Sequence, residues 1–451
     1  MDSGDTKQFL RMPKHPLHTD SVVSLDILAM TARKSHTVLF LKLDYPGIEN
    51  IRSVDVASDH EYAVRYVNDY LNGGIAYLKA PSLQLNRYLQ SMAFLRMATG
   101  QSEETDEQPV SRGPHAINVS PAEAGLPWAT GIVSCRQNKH WQIMIDTTYV
   151  FLAYFAADSS AHQIYKTGLS LADIARNQLR SNVDDGFARY PTYLTPEGDP
   201  QRVRLLAIVN VLVFLFDDFW EMNDAETFAA VQEEFISRMR PNFDNGKRPK
   251  SILQGMIDRT IQDFQEMDRL SGNNTGQEVI DLMVRFLDRP FPPDQWKDMD
   301  EYLLYRNEDT AMPYVLACCK FTLNSSVDLE SPRLARYLRL VKDHICVAND
   351  LASWKKEQRE FNDGHTLGLI NTVHIMKGLL NIASDQAAVA MATALQYQIE
   401  VDIDAEIQRM MKNELTAEEW EFVDATLHVV SGNIFAITTM CRYGGESSKL
   451  I

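Results

Sequence analysis

The stretch Leu205-Leu-Ala-Ile-Val-Asn-Val-Leu-Val-Phe-Leu-Phe-Asp-Asp-Phe-Trp-Glu221 decides how this chain folds. It contains the most apolar run of the sequence, and it leads directly into the carboxylates of Asp217, Asp218 and Glu221. A helix that is apolar on all sides is typical of one enclosed by other helices. Residues i and i+4 of a helix share a face, so Asp217 and Glu221 should point the same way, with Asp218 alongside. The stretch therefore predicts a buried helix that ends in an acidic stripe.

Most of the remaining sequence has the periodicity of amphipathic helices. The segments with this pattern are 63–71, 82–97, 256–270, 279–287, 334–357 and 387–411. Asp199-Pro200 predicts the start of the helix with the acidic stripe, and Thr416 to Glu419 has the spacing of a capping box. Only residues 37–43 and 130–135 could be strands. The sequence therefore predicts an all-α fold.

Composition and charge narrow the class of protein. The chain has 451 residues, 45% hydrophobic and 23% charged, which is globular composition with ample material for a core. A formal net charge of −17 argues against general binding of nucleic acid or anionic membrane. The five cysteines show no metal-ligand spacing, the N-terminus has no apolar signal region, and the run 205–216 is too short to span a bilayer. We therefore expect a cytoplasmic protein with free thiols and no membrane span.

The clearest break in composition is the segment 100–114, which is polar, acidic and bracketed by Gly and Pro. Such a segment is typical of an exposed linker or long loop. It divides the chain into an N-terminal extension, residues 1–115, and a C-terminal domain, residues 116–451. The extension is expected to be mainly helical and contains no convergent polar set. All the candidate chemistry lies in the second part.

A second polar stripe occurs in Asn349-Asp-Leu-Ala-Ser-Trp-Lys-Lys-Glu357. Asn349, Ser353 and Glu357 are spaced i, i+4 and i+8, so on a helix they drift by only about 80°. Magnesium is usually held by a few carboxylates together with substrate phosphates. Two helices that each direct an oxygen stripe at one cavity would suit it. Each stripe alone could equally be an ordinary solvated helix face.

Two further elements carry positive charge. Arg306 precedes Pro313, which should break or kink its helix. Arg442-Tyr443 is expected in the last helix, before two glycines. An Arg near a helix end is electrostatically ordinary, so neither element is specific by itself.

These four elements occur in a fixed order: the acidic stripe, Arg306, the Asn/Ser/Glu stripe and the Arg-Tyr pair. Together they resemble the motifs of the class I terpene cyclases. The family's two metal motifs are matched by Asp217, Asp218 and Glu221, and by Asn349, Asp350, Ser353 and Glu357 with Lys356 before the Glu. The resemblance covers residues 130–445. The long N-terminal arm looks like fungal cyclases of meroterpenoid secondary metabolism that form humulene-type macrocycles. Two departures are Ala436, where the family commonly has an aromatic residue, and 309–311, which lacks the Gly often found after the Arg.

The resemblance implies a class I terpene synthase-like helical bundle around a central apolar cavity, with three Mg²⁺ ions as cofactor. It implies that Asn349, Ser353 and Glu357 bind one ion and that Asp217 binds the others, with Glu221 as a further ligand. Asp218 belongs to the same metal motif, although a role in orienting Arg306 is favoured for it. The diphosphate contacts implied are Arg306, Lys356, Arg442 and Tyr443, and the catalytic residues are Asp217, Arg306, Arg442 and Tyr443.

The implied reaction is the cyclisation of a prenyl diphosphate, most simply farnesyl diphosphate to a sesquiterpene hydrocarbon, by a monomer or homodimer. Candidate cavity walls are Val213, Phe214 and Ile345, which could equally be plain core residues. Three alternatives remain open. They are a diterpene cyclase acting on geranylgeranyl diphosphate, a prenyl-chain elongating transferase and a non-catalytic helical scaffold. The elongating transferase should carry a second Asp-rich motif in place of the Asn/Ser/Glu stripe.

Overall fold

The computed structural model describes residues 28–32, 36–40, 114–119, 130–132, 135–162, 169–180, 188–240, 243, 249–364, 366, 368–412, 415–440 and 443. The described residues are predominantly helical, as the sequence predicts. Their α-helices are α1 (Trp141–Ala157), α2 (Leu171–Arg180), α3 (Tyr190–Leu194), α4 (Pro200–Met222), α5 (Ala225–Glu234), α6 (Ile252–Ser271), α7 (Thr275–Leu287), α8 (Met299–Asp309), α9 (Met312–Leu323), α10 (Ala335–Asn362), α11 (Thr372–Leu379), α12 (Asp385–Met410) and α13 (Ala417–Thr439).

Helix α4 contains the apolar run and its acidic end, and its start follows from the local sequence. The Asp199 side chain accepts hydrogen bonds from the backbone N–H groups of Gln201 and Arg202, and Pro200 occupies the first turn. This satisfies N–H groups that have no partner within the helix. At the other end of the chain, Thr416 and Glu419 form the predicted capping box of α13. Both predicted helix starts are confirmed.

Four short strands form two antiparallel pairs in the described residues. Strand β1 (Leu28–Ala32) pairs with β2 (His36–Phe40), and β3 (Ala116–Val119) pairs with β4 (Cys135–Asn138). The first pair lies in the extension predicted to be mainly helical, so the described part of that extension is a hairpin instead. The helices predicted at 63–71 and 82–97 lie outside the described residues.

Two apolar cores surround the two helices that carry the polar stripes. One core packs α4 against α1, α2, α6 and α7, and its fully buried members include Phe216 and Phe264. The other packs α10 against α8, α12 and α13, around Tyr302 and Tyr337. Helix α9 contributes to both cores, since Phe321 belongs to the first and other α9 residues to the second. The helices of the two stripes are thus held on either side of a shared element.

The helix break predicted at Pro313 is confirmed. Helix α8 ends at Asp309 and α9 begins at Met312, with Pro313 in its first turn. Ala311 between them has a φ of 56°, in the left-handed region that disfavours residues with a Cβ. The break places the Asp309 carboxylate at the end of α8, on the side of Arg306.

Two further predictions concern the cysteine thiols and membrane spans. Cys135, Cys318, Cys319 and Cys346 are buried free thiols, and the fifth cysteine lies outside the described residues. Within the part of the chain that the structure describes, no helix is both long enough and apolar enough to cross a membrane.

Candidate active site

The acidic stripe lies in the last two turns of α4. Asp217 and Asp218 are half-buried, whereas Glu221 is exposed. Asp217 Oδ1 accepts a hydrogen bond from Nη2 of Arg289 at 2.5 Å. The stripe therefore presents its first two carboxylates to the protein interior, and one of them already has a cationic partner.

Arg289 lies just after α7 and is enclosed on all sides. Its side chain is 3% exposed, and it lies between the Trp220 ring at 4.0 Å and the Phe286 ring at 4.2 Å. Its Nε donates to Asp309 Oδ1 at 2.8 Å, and its Nη1 reaches the Phe286 carbonyl oxygen at 3.4 Å. Together with Asp217, these contacts give each guanidinium nitrogen an acceptor. The sequence analysis did not identify this residue.

Arg306 continues the same series of charges. Its Nη1 donates to Asp309 Oδ2, and its Nε and Nη2 donate to Asp350 Oδ1 at 3.1 and 2.6 Å. The other oxygen of Asp350 accepts from the Tyr302 hydroxyl at 2.7 Å, and from the backbone N–H and hydroxyl of Thr372. A role of Asp218 in orienting Arg306 stays a prediction. Asp309 and Asp350 make the hydrogen bonds, because the end of α8 and helix α10 bring them to the guanidinium.

These contacts form one buried ion-pair chain from α4 to α10, which we call the charge relay chain: Asp217, Arg289, Asp309, Arg306 and Asp350. Its members come from distant parts of the sequence. The charge relay chain fixes the ends of the helices that carry the two stripes relative to each other.

Burial and neighbouring charges shift the pKa values along this chain. Burial raises the pKa of Asp217, and Asp309 and Asp218 raise it further, so Arg289 only partly compensates. Burial also raises the pKa of Asp309, but its two guanidinium partners reverse this effect and the pKa falls below its ordinary value. Asp217 is thus the carboxylate of this pair that retains unneutralised charge.

The second stripe lies along α10 as predicted. Asn349 and Glu357 are half-buried, and Ser353 is buried. The Ser353 hydroxyl donates to the Asn349 carbonyl oxygen at 2.9 Å, which leaves oxygen lone pairs for a ligand. Asn371 donates to Glu357 Oε2 at 2.9 Å and to the Asp350 carbonyl oxygen at 2.8 Å. Burial raises the pKa of Glu357, and the nearby Asp350 carboxylate raises it further.

The charges and donor atoms at this site fit a divalent cation. Two guanidinium groups, Arg289 and Arg306, face four carboxylates. Those carboxylates are Asp217, Asp309, Asp350 and Glu357. Buried negative charge in excess of its partners is costly unless a cation binds. Within the described ranges, however, no three Asp, Glu, His or Cys side chains are arranged to hold a metal by themselves. A cation would therefore need the Asn and Ser oxygens or a ligand's oxygens, as Mg²⁺ often does.

The structure gives fewer contacts for the other predicted diphosphate-binding residues, Lys356, Arg442 and Tyr443. Lys356 is partly exposed, with Nζ 3.1 Å from the Glu360 carboxylate one turn later. Arg442 lies outside the described residues. Tyr443 is buried, and its ring centroid lies 6.3 Å from that of Tyr190. Helix α13 ends at Thr439, and Tyr443, which lies beyond it, is itself helical. The position of the Arg-Tyr pair in the last helix stays a prediction.

The predicted wall residues have different surroundings. Val213 is buried in the core around α4, and Ile345 in the core around α10. Phe214 is only half-buried, and its ring packs edge-on against Tyr190 at 6.1 Å. Phe214, Tyr190 and Tyr443 therefore form a continuous aromatic surface, one turn before Asp218. A wall role remains a prediction for all three predicted residues, and it has most structural support for Phe214.

Comparison with known proteins finds a family model that matches the part of the chain with the two polar stripes. The family model described as "Terpene synthase family 2, C-terminal metal binding" matches residues 209–398. This range includes most of α4, all of α7 to α11, and therefore both polar stripes and the whole charge relay chain. The matched region is the one that the family description associates with metal binding.

Two of the relatives are fungal proteins. Terpene cyclase 6 of Gibberella fujikuroi is 25% identical over 72% of this chain and 85% of its own length. Phomopsene synthase of Phomopsis amygdali is 22% identical over 56% of this chain, and the match spans only 35% of that protein. Among solved structures, aristolochene synthase of Penicillium roqueforti has a TM-score of 0.49 at 15% identity, over 65% of this chain and 93% of that one. The match of the metal-binding family model to residues 209–398 and the similarity to fungal terpene cyclases support a class I terpene synthase family for this chain.

Proposed function

We propose that this protein is a magnesium-dependent cyclase that ionises a linear prenyl diphosphate and closes the resulting cation into a ring. We further propose farnesyl diphosphate as the substrate and a sesquiterpene hydrocarbon, of the humulene type, as the product. The observation that carries the proposal is the charge relay chain, which joins the two stripes and leaves an excess of carboxylates between them. The ion pairs alone would also suit a scaffold protein, but the excess of carboxylates beside the two stripes favours a cation-binding site.

The donor set suits Mg²⁺, which when bound would neutralise the diphosphate as the carbon–oxygen bond breaks. We assign one ion to Asn349, Ser353 and Glu357, and further ions to Asp217, with Asp218 and Glu221 as additional ligands of the first motif. Asn371 holds the Glu357 carboxylate in place.

Arg306 is the diphosphate contact with the firmest support. It is 9% exposed and anchored by two carboxylates, so its position is set before substrate arrives. A guanidinium held in this way stabilises the charge that develops on the leaving group without reorganising. Lys356, Arg442 and Tyr443 are proposed to complete the set of donors to the diphosphate oxygens.

The aromatic surface of Phe214, Tyr190 and Tyr443 is proposed to face the prenyl chain. The faces of aromatic rings attract cations, so rings along the chain would stabilise the carbocation that ionisation leaves behind. The same rings exclude water, which would otherwise trap the cation as an alcohol.

The test is incubation of the purified protein with farnesyl diphosphate, with Mg²⁺ or with EDTA, and identification of products by gas chromatography–mass spectrometry. A cyclic C15 hydrocarbon that appears only with Mg²⁺ is expected. The same assay with geranylgeranyl diphosphate detects a diterpene cyclase, and longer diphosphates from a mixture with isopentenyl diphosphate would indicate an elongating transferase. No turnover of any prenyl diphosphate in the presence of Mg²⁺ refutes the proposal.

Single substitutions test the assigned residues. Asp217→Ala and Asn349→Ala should each lower kcat by about 10²-fold or more, with unchanged helical circular dichroism. Asp281→Ala is the matched control, because Asp281 is an exposed carboxylate on α7 that contacts only Gln277 in its own helix. Turnover of Asp217→Ala or Asn349→Ala equal to that of the control removes the residue from the site.

A further inference from the structure

Arg289 and the proposed metal compete for the same atom. Nη2 of Arg289 lies 2.5 Å from Asp217 Oδ1, which is as close as a charge-assisted hydrogen bond allows. A carboxylate that accepts such a bond binds a dication more weakly, because the guanidinium and the cation repel each other at that distance.

The surroundings of Arg289 allow it to release Asp217 at limited cost. Without that contact, the guanidinium still donates to Asp309 Oδ1 and to the Phe286 carbonyl oxygen, and it stays between two aromatic rings. Asp217, in contrast, has retained charge that a stronger cation would stabilise. The exchange of partners therefore leaves neither group buried and unpaired.

We propose that Arg289 is a displaceable internal counter-ion, which holds Asp217 in the metal-free protein and turns fully to Asp309 when a divalent cation binds. The proposal rests on the proposed function, since it requires that Asp217 be a metal ligand. Arg289 is a positioning residue in this scheme. Because Asp309 also holds Arg306, a cation bound at Asp217 would tighten the anchor of the diphosphate contact.

Trp220 reports the movement. Its ring lies 4.0 Å from the guanidinium carbon on one side and stacks on Phe291 at 4.7 Å. A change in the position of a cation next to an indole alters its fluorescence. Mg²⁺ is therefore added to wild type and to Trp220→Phe, both of which keep Arg289. The part of the fluorescence change that is absent in Trp220→Phe measures whether Arg289 moves.

The experiment uses the full chain without prenyl substrate at pH 8, with and without inorganic pyrophosphate. Binding of Mn²⁺ is measured from the electron paramagnetic resonance signal of the free ion, for wild type, Arg289→Met and Arg285→Met. Arg285 is the matched control, because it lies one turn earlier, is 56% exposed and pairs with Glu308. Arg285→Met removes the same charge from the last turn of α7, close to Arg289 in sequence, without removing the partner of Asp217.

The proposal predicts that Arg289→Met binds Mn²⁺ at least about fivefold more tightly than wild type, because a charge-assisted competitor is gone. Arg285→Met should differ from wild type by less than about twofold, since exposed charges are screened. A purely structural role for Arg289 would instead weaken binding. Mg²⁺ should also produce a Trp220-dependent fluorescence change in protein that retains Arg289.

Two results would overturn the inference and leave the proposed function intact. One is Mn²⁺ binding by Arg289→Met that is equal to or weaker than wild type. The other, which does not depend on the folding of that variant, is saturable Mn²⁺ binding to wild type with no Trp220-dependent fluorescence change. Failure of every protein to bind Mn²⁺, even with pyrophosphate, would instead refute the metal site itself.

Discussion

Asp350→Asn tests whether the charge relay chain holds the two stripe-bearing helices together. Asp350 has no exposed surface and accepts five hydrogen bonds. Two come from Arg306, at 3.1 and 2.6 Å, and the others come from the Tyr302 hydroxyl and from the backbone N–H and hydroxyl of Thr372. All five donors point at one carboxylate, so an isosteric amide changes the electrostatics with almost no change in volume.

An amide can satisfy only one side of this arrangement. If its oxygen faces Arg306, its NH₂ group meets the backbone N–H of Thr372, which cannot rotate away. If its oxygen faces Thr372, the NH₂ group meets the guanidinium. Either orientation breaks a buried ion pair, which typically costs about 3–5 kcal/mol of folding free energy.

The assay is urea unfolding followed by far-ultraviolet circular dichroism, and the control is Asp300→Asn. Asp300 also pairs with an arginine, at 3.0 Å, but its side chain is 79% exposed. Its loss should cost less than about 1 kcal/mol, because exposed ion pairs are weak. If the unfolding free energy of Asp350→Asn matches that of the control, the charge relay chain does not stabilise the fold.

Three further predictions concern stability. Ala311→Gly should raise the unfolding free energy by about 0.5–1 kcal/mol, because the relief of left-handed backbone strain exceeds the cost of the added entropy of the unfolded chain. Urea unfolding measures this change, and a loss of stability would contradict the prediction. Gly432→Ala should cost at least about 2 kcal/mol in the same assay, since a Cβ would lie 2.1 Å from the Tyr193 carbonyl oxygen; a neutral effect would contradict this close approach. Burial lowers the pKa of His428 from 6.5 to about 4, so its contribution is complete above pH 6.5 and is lost as the pH falls toward 4. Between these values stability should fall by about 1.4 kcal/mol per pH unit from this group, and His428→Gln should remove that slope in unfolding measured at pH 7 and 4.5.

The helices of the site were predictable because local rules determine them. The apolar run, Asp199-Pro200 and the later capping box each act within one or two helical turns, so they can be recognised without knowing the fold. The position of the α8–α9 break followed in the same way from Pro313. The two polar stripes were visible because side chains of one face recur at i+4 on a helix.

Arg289 and Asp309 could not be predicted in this way. Arg289 precedes a proline just after a helix, and its local contacts with Phe286 do not indicate its role. Its contact with Asp217 joins residues 72 positions apart, and no periodicity connects them. The contact of Arg289 with Asp309 was missed for the same reason, because the distance between the ends of α7 and α8 depends on the packing of whole helices. The candidate strand at 37–43 overlaps β2, whereas β1 was missed because short strands carry weak periodic signals.

The charge relay chain also explains why the two stripes need not meet directly. A cation site made only of carboxylates would repel itself in the metal-free protein, and the helices carrying it would separate or the acids would protonate. In the charge relay chain an arginine lies between each carboxylate and the next, so neighbouring members attract each other. Burial and neighbouring carboxylates raise the pKa of Asp217, the first member of the chain, and of Glu357, which lies on α10 outside it. A cation would therefore be favoured at these two carboxylates, at Asp217 in exchange for the contact with Arg289.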